Sequence, residues 1–182
     1  VRRIARFVVH PNFRAVDGLS DDLAIAILDR AVPEGSLVAA LPGEELQIAF
    51  GEKVKALGYG IQNINGEPRP PVPEAGAGWE PIRLDSKEFI VADSGVEELG
   101  GVKTNYHRVF VNQPEGGLCG GDSGGPVYLL RGNDSPLLMG VNGAVAPPVV
   151  PKERWPICAE TAFINRADTS LGWIRTVLEE NR

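Results

Sequence analysis

Apolar residues in this chain come in short runs broken by turn-forming residues. Ile4 to Val9 and Leu23 to Leu28 are β-branched or aliphatic, and the turn-rich Pro11-Asn12 and Asp17-Gly18 lie between them. This pattern predicts two neighbouring strands. A Pro/Gly/Glu stretch from Pro33 to Glu45 precedes the next strand signal at Val54 to Tyr59, so an interdomain boundary is expected near Pro42. Gly66 to Pro81 is rich in proline and glycine. Proline cannot donate to a ladder, so a long surface loop is expected there, with a polyproline ligand at Pro68 to Pro73 as the alternative. Further strands are predicted at Phe89 to Ala92, Arg108 to Val111, Val127 to Leu130 and Leu137 to Val141, the last two flanking the hairpin signal Gly132-Asn133-Asp134-Ser135. From Asp168, an expected N-cap, the period turns helical, with Leu171, Ile174 and Leu178 on one stripe beside Trp173 and Val177.

Composition sharpens this picture. The chain has 182 residues, 43% of them hydrophobic and 23% charged, which suits a folded chain with a sizeable core. Glycine (22) and proline (15) together make up about a fifth of it, which shortens helices and favours strands joined by tight turns. An all-β fold is expected. The net charge of −6 has the wrong sign for a protein that neutralises phosphates, so nucleic acid is not an expected partner. No apolar run approaches the roughly 20 residues of a spanning helix, so no membrane partner is expected either. The two cysteines, Cys119 and Cys158, are too few for a zinc site and do not form a C-x-x-C pair. They are either one disulfide or two unrelated thiols. No metal and no cofactor is expected.

The residues that carry chemistry are Gly121-Asp122-Ser123-Gly124-Gly125-Pro126. Serine is a weak nucleophile at its free pKa. It needs a sharp turn that exposes its hydroxyl and aims backbone N–H groups at a developing oxyanion, and the glycines supply such a turn. The run also satisfies G-x-S-x-G, but the α/β-hydrolase order places the histidine after the serine. The only histidines, His10 and His107, both precede Ser123. A subtilisin-type order could be assembled from Asp22, His107 and Ser123, but Asn105-Tyr106-His107-Arg108 lacks that family's small-residue context.

At these residues the sequence resembles the chymotrypsin-like (trypsin-fold) serine proteases. Asp22-Leu23-Ala24-Ile25-Ala26-Ile27-Leu28 is similar to the segment carrying that family's catalytic Asp. Val38-Ala39-Ala40-Leu41-Pro42 is similar to its interdomain segment, with Ala in place of Cys. Gly58-Tyr59-Gly60 is similar to its G-W-G, and Leu118-Cys119-Gly120-Gly121-Asp122-Ser123 to its nucleophile loop. Cys158 followed by Ala162-Phe163-Ile164 is similar to its C…V-Y-T strand, and Leu171-Gly172-Trp173-Ile174 to its closing helix. These signals fall in the family order along nearly the whole chain.

The resemblance implies an all-β, two-barrel fold. Residues 1–42 would be the remainder of the N-terminal barrel, 43–166 the C-terminal barrel and 167–182 a C-terminal helix. It implies a serine endopeptidase acting on peptide or protein substrates, with Ser123 as nucleophile and Asp22 orienting a histidine. The N–H groups of Gly121 and Ser123 would form the oxyanion hole. Gly143, Ala144 and Val145 would pair with the substrate backbone, where the family usually has S-W-G. Gly117 would floor the specificity pocket and Val145 and Thr161 would wall it. A floor without a carboxylate disfavours a basic P1 residue, and walls with side chains favour a small aliphatic one. Cys119 and Cys158 would form a disulfide worth roughly 4 kcal/mol, which suits a secreted or periplasmic protein.

The family's catalytic histidine lies roughly 45 residues before its Asp, and only 21 residues precede Asp22. His10, in Val8-Val9-His10-Pro11-Asn12-Phe13, resembles the family's non-catalytic strand end and is expected as a surface histidine. The front portion of the protein, with the catalytic histidine and the terminus that would pair with Asp122, is therefore expected to be missing from this chain. Losing a triad histidine costs about 10⁶ in kcat, so these residues alone should be nearly inert. The alternative is a non-catalytic relative that keeps the fold as a binding module.

Overall fold

A computed structural model describes residues 2–13, 21–36, 39–43, 46, 48–60, 62–64, 67–69, 85–93, 98–99, 102–103, 108–113, 117–131, 136–145 and 160–181. The strands are β1 (Ile4–Val9), β2 (Ala24–Leu28), β3 (Lys53–Gly58), β4 (Gln62–Ile64), β5 (Glu67–Arg69), β6 (Asp85–Asp93), β7 (Glu98–Leu99), β8 (Val102–Lys103), β9 (Arg108–Gln113), β10 (Pro126–Leu129), β11 (Leu137–Val145) and β12 (Glu160–Arg166). A 3-10 turn (Asp168–Ser170) leads into helix α1 (Leu171–Glu179). The all-β expectation holds, with one short helix at the end.

Six strands close a barrel in the order β10-β11-β12-β9-β6-β3, with β3 pairing back onto β10. Closure removes unpaired edges. Alternation explains what fills the barrel: in β3 Val54 and Ala56 point inward, and in β10 Val127 and Leu129 do, and the ladder sets Val127 beside Ala56 and Leu129 beside Val54. With Phe89, Val91, Val111, Met139, Ala162 and Ile164 they form one apolar cluster. Each fully buried Val or Leu contributes about 1.5–3 kcal/mol relative to exposure.

β1 and β2 form a separate two-stranded antiparallel sheet. Contacts among the described residues tie it to the rest. The ring of His10 sits edge-on to Trp173 of α1, with centroids 4.7 Å apart. Arg6 donates to the Asn181 side chain beyond α1, and Asn165 of β12 donates to the backbone oxygen of Asp22 at 3.1 Å.

Several expectations need correction. His10 is 7% exposed, not a surface residue, because Trp173 covers its ring and its backbone N–H ties it to the Leu23 oxygen. Asp168 caps nothing; it sits inside the 3-10 turn and its carboxylate is held by Arg166 at 2.5 Å. In α1 the buried residues are Leu171 and Val177, whereas Leu178 is exposed. Pro68 lies in a ribbon, opposite Asn63 of β4, which an edge strand permits because no donor is needed there. Residues 70–84 and the hairpin signal at 132–135 lie outside the described residues.

Candidate active site

Ser123 lies on the turn entering β10, and the residue is exposed. Gly121 at φ 96° and Gly124 at φ 78° flank it, both in the left-handed region that side chains disfavour. The turn is held against β11: the Gly124 N–H donates to the Asn142 oxygen at 2.8 Å, and the Asn142 N–H to the Gly125 oxygen at 2.9 Å. The Ser123 hydroxyl donates to the Gly143 oxygen at 3.2 Å. Gly143 falls at a register shift between Asn142 and Ala144 in the β11–β12 ladder. A bulge leaves the extra residue outside the ladder, which is why its carbonyl can take a hydroxyl.

Asp122 explains the glycines of Gly58-Tyr59-Gly60. Its carboxylate accepts the Gly60 N–H at 2.7 Å and the Cys119 N–H at 2.9 Å. A Cβ on either Gly58 or Gly60 would fall on that carboxyl group. The carboxylate thus ties the end of β3 to the start of the nucleophile loop.

Asp22 is exposed and precedes β2. The Asn165 side chain donates to the Asp22 backbone oxygen at 3.1 Å, and a Cβ on Gly143 would collide with the same amide.

Toward the expected pocket, Gly117 is exposed and its backbone is hemmed by the Gln113 amide and the Phe89 ring. Gln113, 2% exposed, accepts the Leu118 N–H at 2.9 Å and donates to the Leu118 oxygen at 2.8 Å. Ala144 is exposed, and Val145 is partly buried against the barrel core. The register sets Val145 opposite Ala162, while Thr161 pairs with Asn112 of β9. Cys119 is buried; Cys158 and His107 lie outside the described residues.

Sequence reasoning missed the buried amides Gln113, Asn142 and Asn165. Their signal was available: Asn142 and Asn165 each interrupt an apolar run, and a buried polar residue must find partners. Among the described residues no group of three His, Cys, Asp or Glu is placed to hold a metal ion, and no helix is long and apolar enough to cross a membrane.

A closed β-barrel carries an exposed serine on a glycine turn. A family model described as Trypsin matches residues 1–154, and the chain belongs to that family. Two solved variants of human heparin binding protein are similar in structure. One is 19% identical, covering 98% of this chain and 66% of that one at a TM-score of 0.68. The other is 18% identical, covering 98% and 68% at a TM-score of 0.69. The chain spans about two thirds of their length, and the likeness shows the fold.

Proposed function

We propose that this chain is the larger part of a serine endopeptidase. Ser123 attacks the scissile carbonyl, and the N–H groups of Gly121 and Ser123 receive the oxyanion. Asp22 orients a histidine supplied by a segment preceding Val1, which takes the hydroxyl proton and returns it to the leaving amine. The observation that carries this reading is the placement of Ser123: exposed, on a turn with left-handed glycines on either side, its hydroxyl against the strand that would pair with substrate.

The face of the β1–β2 sheet supports the call for a preceding segment. Phe7 and Val9 lie on one face, with Ala24 and Ala26 opposite them in the ladder. Phe7 is 63% and Val9 53% exposed. A two-stranded sheet is marginal in water, and this apolar face suits cover by further strands of the N-terminal barrel. We assign 1–42 to that barrel, 43–166 to the C-terminal one and 167–182 to the helix.

We further propose a P1 pocket floored by Gly117 and walled by Val145 and Thr161. Its floor offers no carboxylate, which disfavours Lys or Arg because an unpaired buried charge costs several kcal/mol. A Cys119–Cys158 disulfide joins the nucleophile loop to the pocket's far wall; no cysteine among the described residues is free, in support of it. The protein is accordingly secreted or periplasmic. Profiling the full-length protein on a peptide library tests the reading: Ala or Val should dominate P1, by roughly 10- to 200-fold over poorly fitting residues. Dominant Arg or Lys would overturn it.

The second reading, a binding module without catalysis, draws on the neighbours' name. Heparin is a polyanion, and a net charge of −6 opposes such a ligand here. Retention on heparin at physiological salt, with no turnover, would favour this reading instead.

A further inference from the structure

Asn142 holds the nucleophile turn with more than its backbone. Besides the two main-chain bonds to Gly124 and Gly125, its Nδ2 donates to the Asp122 oxygen at 3.0 Å and to the Leu57 oxygen at 3.2 Å. The residue is 5% exposed, and its Oδ1 is buried without a hydrogen-bond partner among the described residues. An orphan buried amide oxygen is a cost to folding, which the two bonds donated by Nδ2 offset.

Its effect on the turn follows from peptide geometry. The Asp122 carbonyl and the Ser123 N–H belong to one planar unit, and no cis peptide bond occurs among the described residues, so the two groups point in opposite directions. Whatever fixes the Asp122 oxygen fixes the direction of the Ser123 N–H. Two donors fix that oxygen, the Gly125 N–H at 3.0 Å and the Asn142 amide. We propose that Asn142 is a positioning residue that aims the Ser123 N–H at the oxyanion through the Asp122 carbonyl. The inference rests on the protease reading and adds to it a residue that determines the hole's geometry.

An oxyanion donor acts on the transition state, so misaiming it lowers kcat and leaves KM in place. The test compares wild type, Asn142→Val and Asn142→Asp in the full-length protein, with kcat, KM, thermal midpoint and the exchange rate of the Gly125 amide measured on each. Removing an oxyanion donor outright costs about 10²–10³ in kcat, so misdirecting a retained one should cost on the order of 10-fold. Both variants should show that loss at unchanged KM, with the Gly125 amide exchanging faster. Asn142→Val should lower the midpoint, because it takes a donor from the Leu57 oxygen and leaves the Asp122 oxygen to the Gly125 N–H, so kcat is compared per folded molecule. Unchanged kcat per folded molecule in Asn142→Val overturns the proposal, as does a loss that appears only as a lowered midpoint. If the wild type shows no turnover, the protease reading falls and the exchange arm decides whether Asn142 holds the turn: unchanged exchange overturns the positioning as well.

Discussion

The strands of the β1–β2 sheet are more apolar than those of the barrel, yet it is the barrel that buries its apolar residues. In the barrel Val54, Val91, Val111, Val127, Met139 and Ile164 have no exposed surface, while in the sheet Ile4, Phe7 and Val9 each leave more than half of theirs in water. The difference is closure. Six strands wrapped on themselves bury one face of each, whereas two strands have only the side toward His10, Asp22 and α1 to bury. The candidate site sits where the two meet, with Ser123 carried by the closed unit and Asp22 by the open one. The closed barrel thus carries the proposed nucleophile, and the proposed triad aspartate adjoins a sheet with an exposed apolar face.

The largest contrast should appear on truncating apolar residues. Leu129→Ala should cost about 2–5 kcal/mol by denaturant unfolding, since the fully packed barrel cannot collapse around the hole. Phe7→Ala in this chain should stay within about 0.5 kcal/mol. In the full-length protein the same Phe7 change should cost about 3 kcal/mol. An equal, small cost in both forms would remove the case for a covering segment.

A middle-sized effect is expected at Arg166–Asp168, where both side chains are mostly buried and joined at 3.0 and 2.5 Å. Asp168→Ala should lose about 1.5–3 kcal/mol, because it removes the carboxylate that takes two charged hydrogen bonds from a mostly buried guanidinium at the junction of β12 and α1. A loss below 0.5 kcal/mol would mean that water reaches the arginine.

The smallest effect should come from Glu52–Arg131, an ion pair at 2.6 Å at the mouth of the β3–β10 ladder, with Arg131 43% exposed. Glu52→Gln should cost about 0.2–1 kcal/mol and less in high salt. A salt-independent cost would point instead to the bond that Glu52 accepts from the Ala49 N–H.

Much of the architecture was legible because period-2 runs and turn residues are local signals. The run Ile4 to Val9 is β1 to the residue, and Leu137 to Val141 opens β11, which continues to Val145. That continuation was missed because Asn142 and Gly143 break the apolar pattern, and they break it for the site's sake: one amide turns inward to the nucleophile loop and one carbonyl meets the serine. The burial of His10 was illegible for another reason, since Trp173, the group that covers it, lies at the far end of the sequence. Asp168 read as a cap because caps are inferred from residue type, while its arginine partner two residues earlier competes for the same carboxylate. The candidates Asp22, Gly121 and Ser123 were named from short local motifs. The buried amides Gln113, Asn142 and Asn165 come from distant strands, and only register reveals them.

The central claim is that Ser123 is a nucleophile. The direct measurement is to treat the full-length protein and its Ser123→Ala variant with a fluorophosphonate probe and map the modified residue by mass spectrometry. The account predicts a single phosphonylated residue, Ser123, and complete loss of labelling in the variant with an unchanged thermal midpoint. Absence of labelling in the folded wild type, or labelling that persists in the variant, would contradict it.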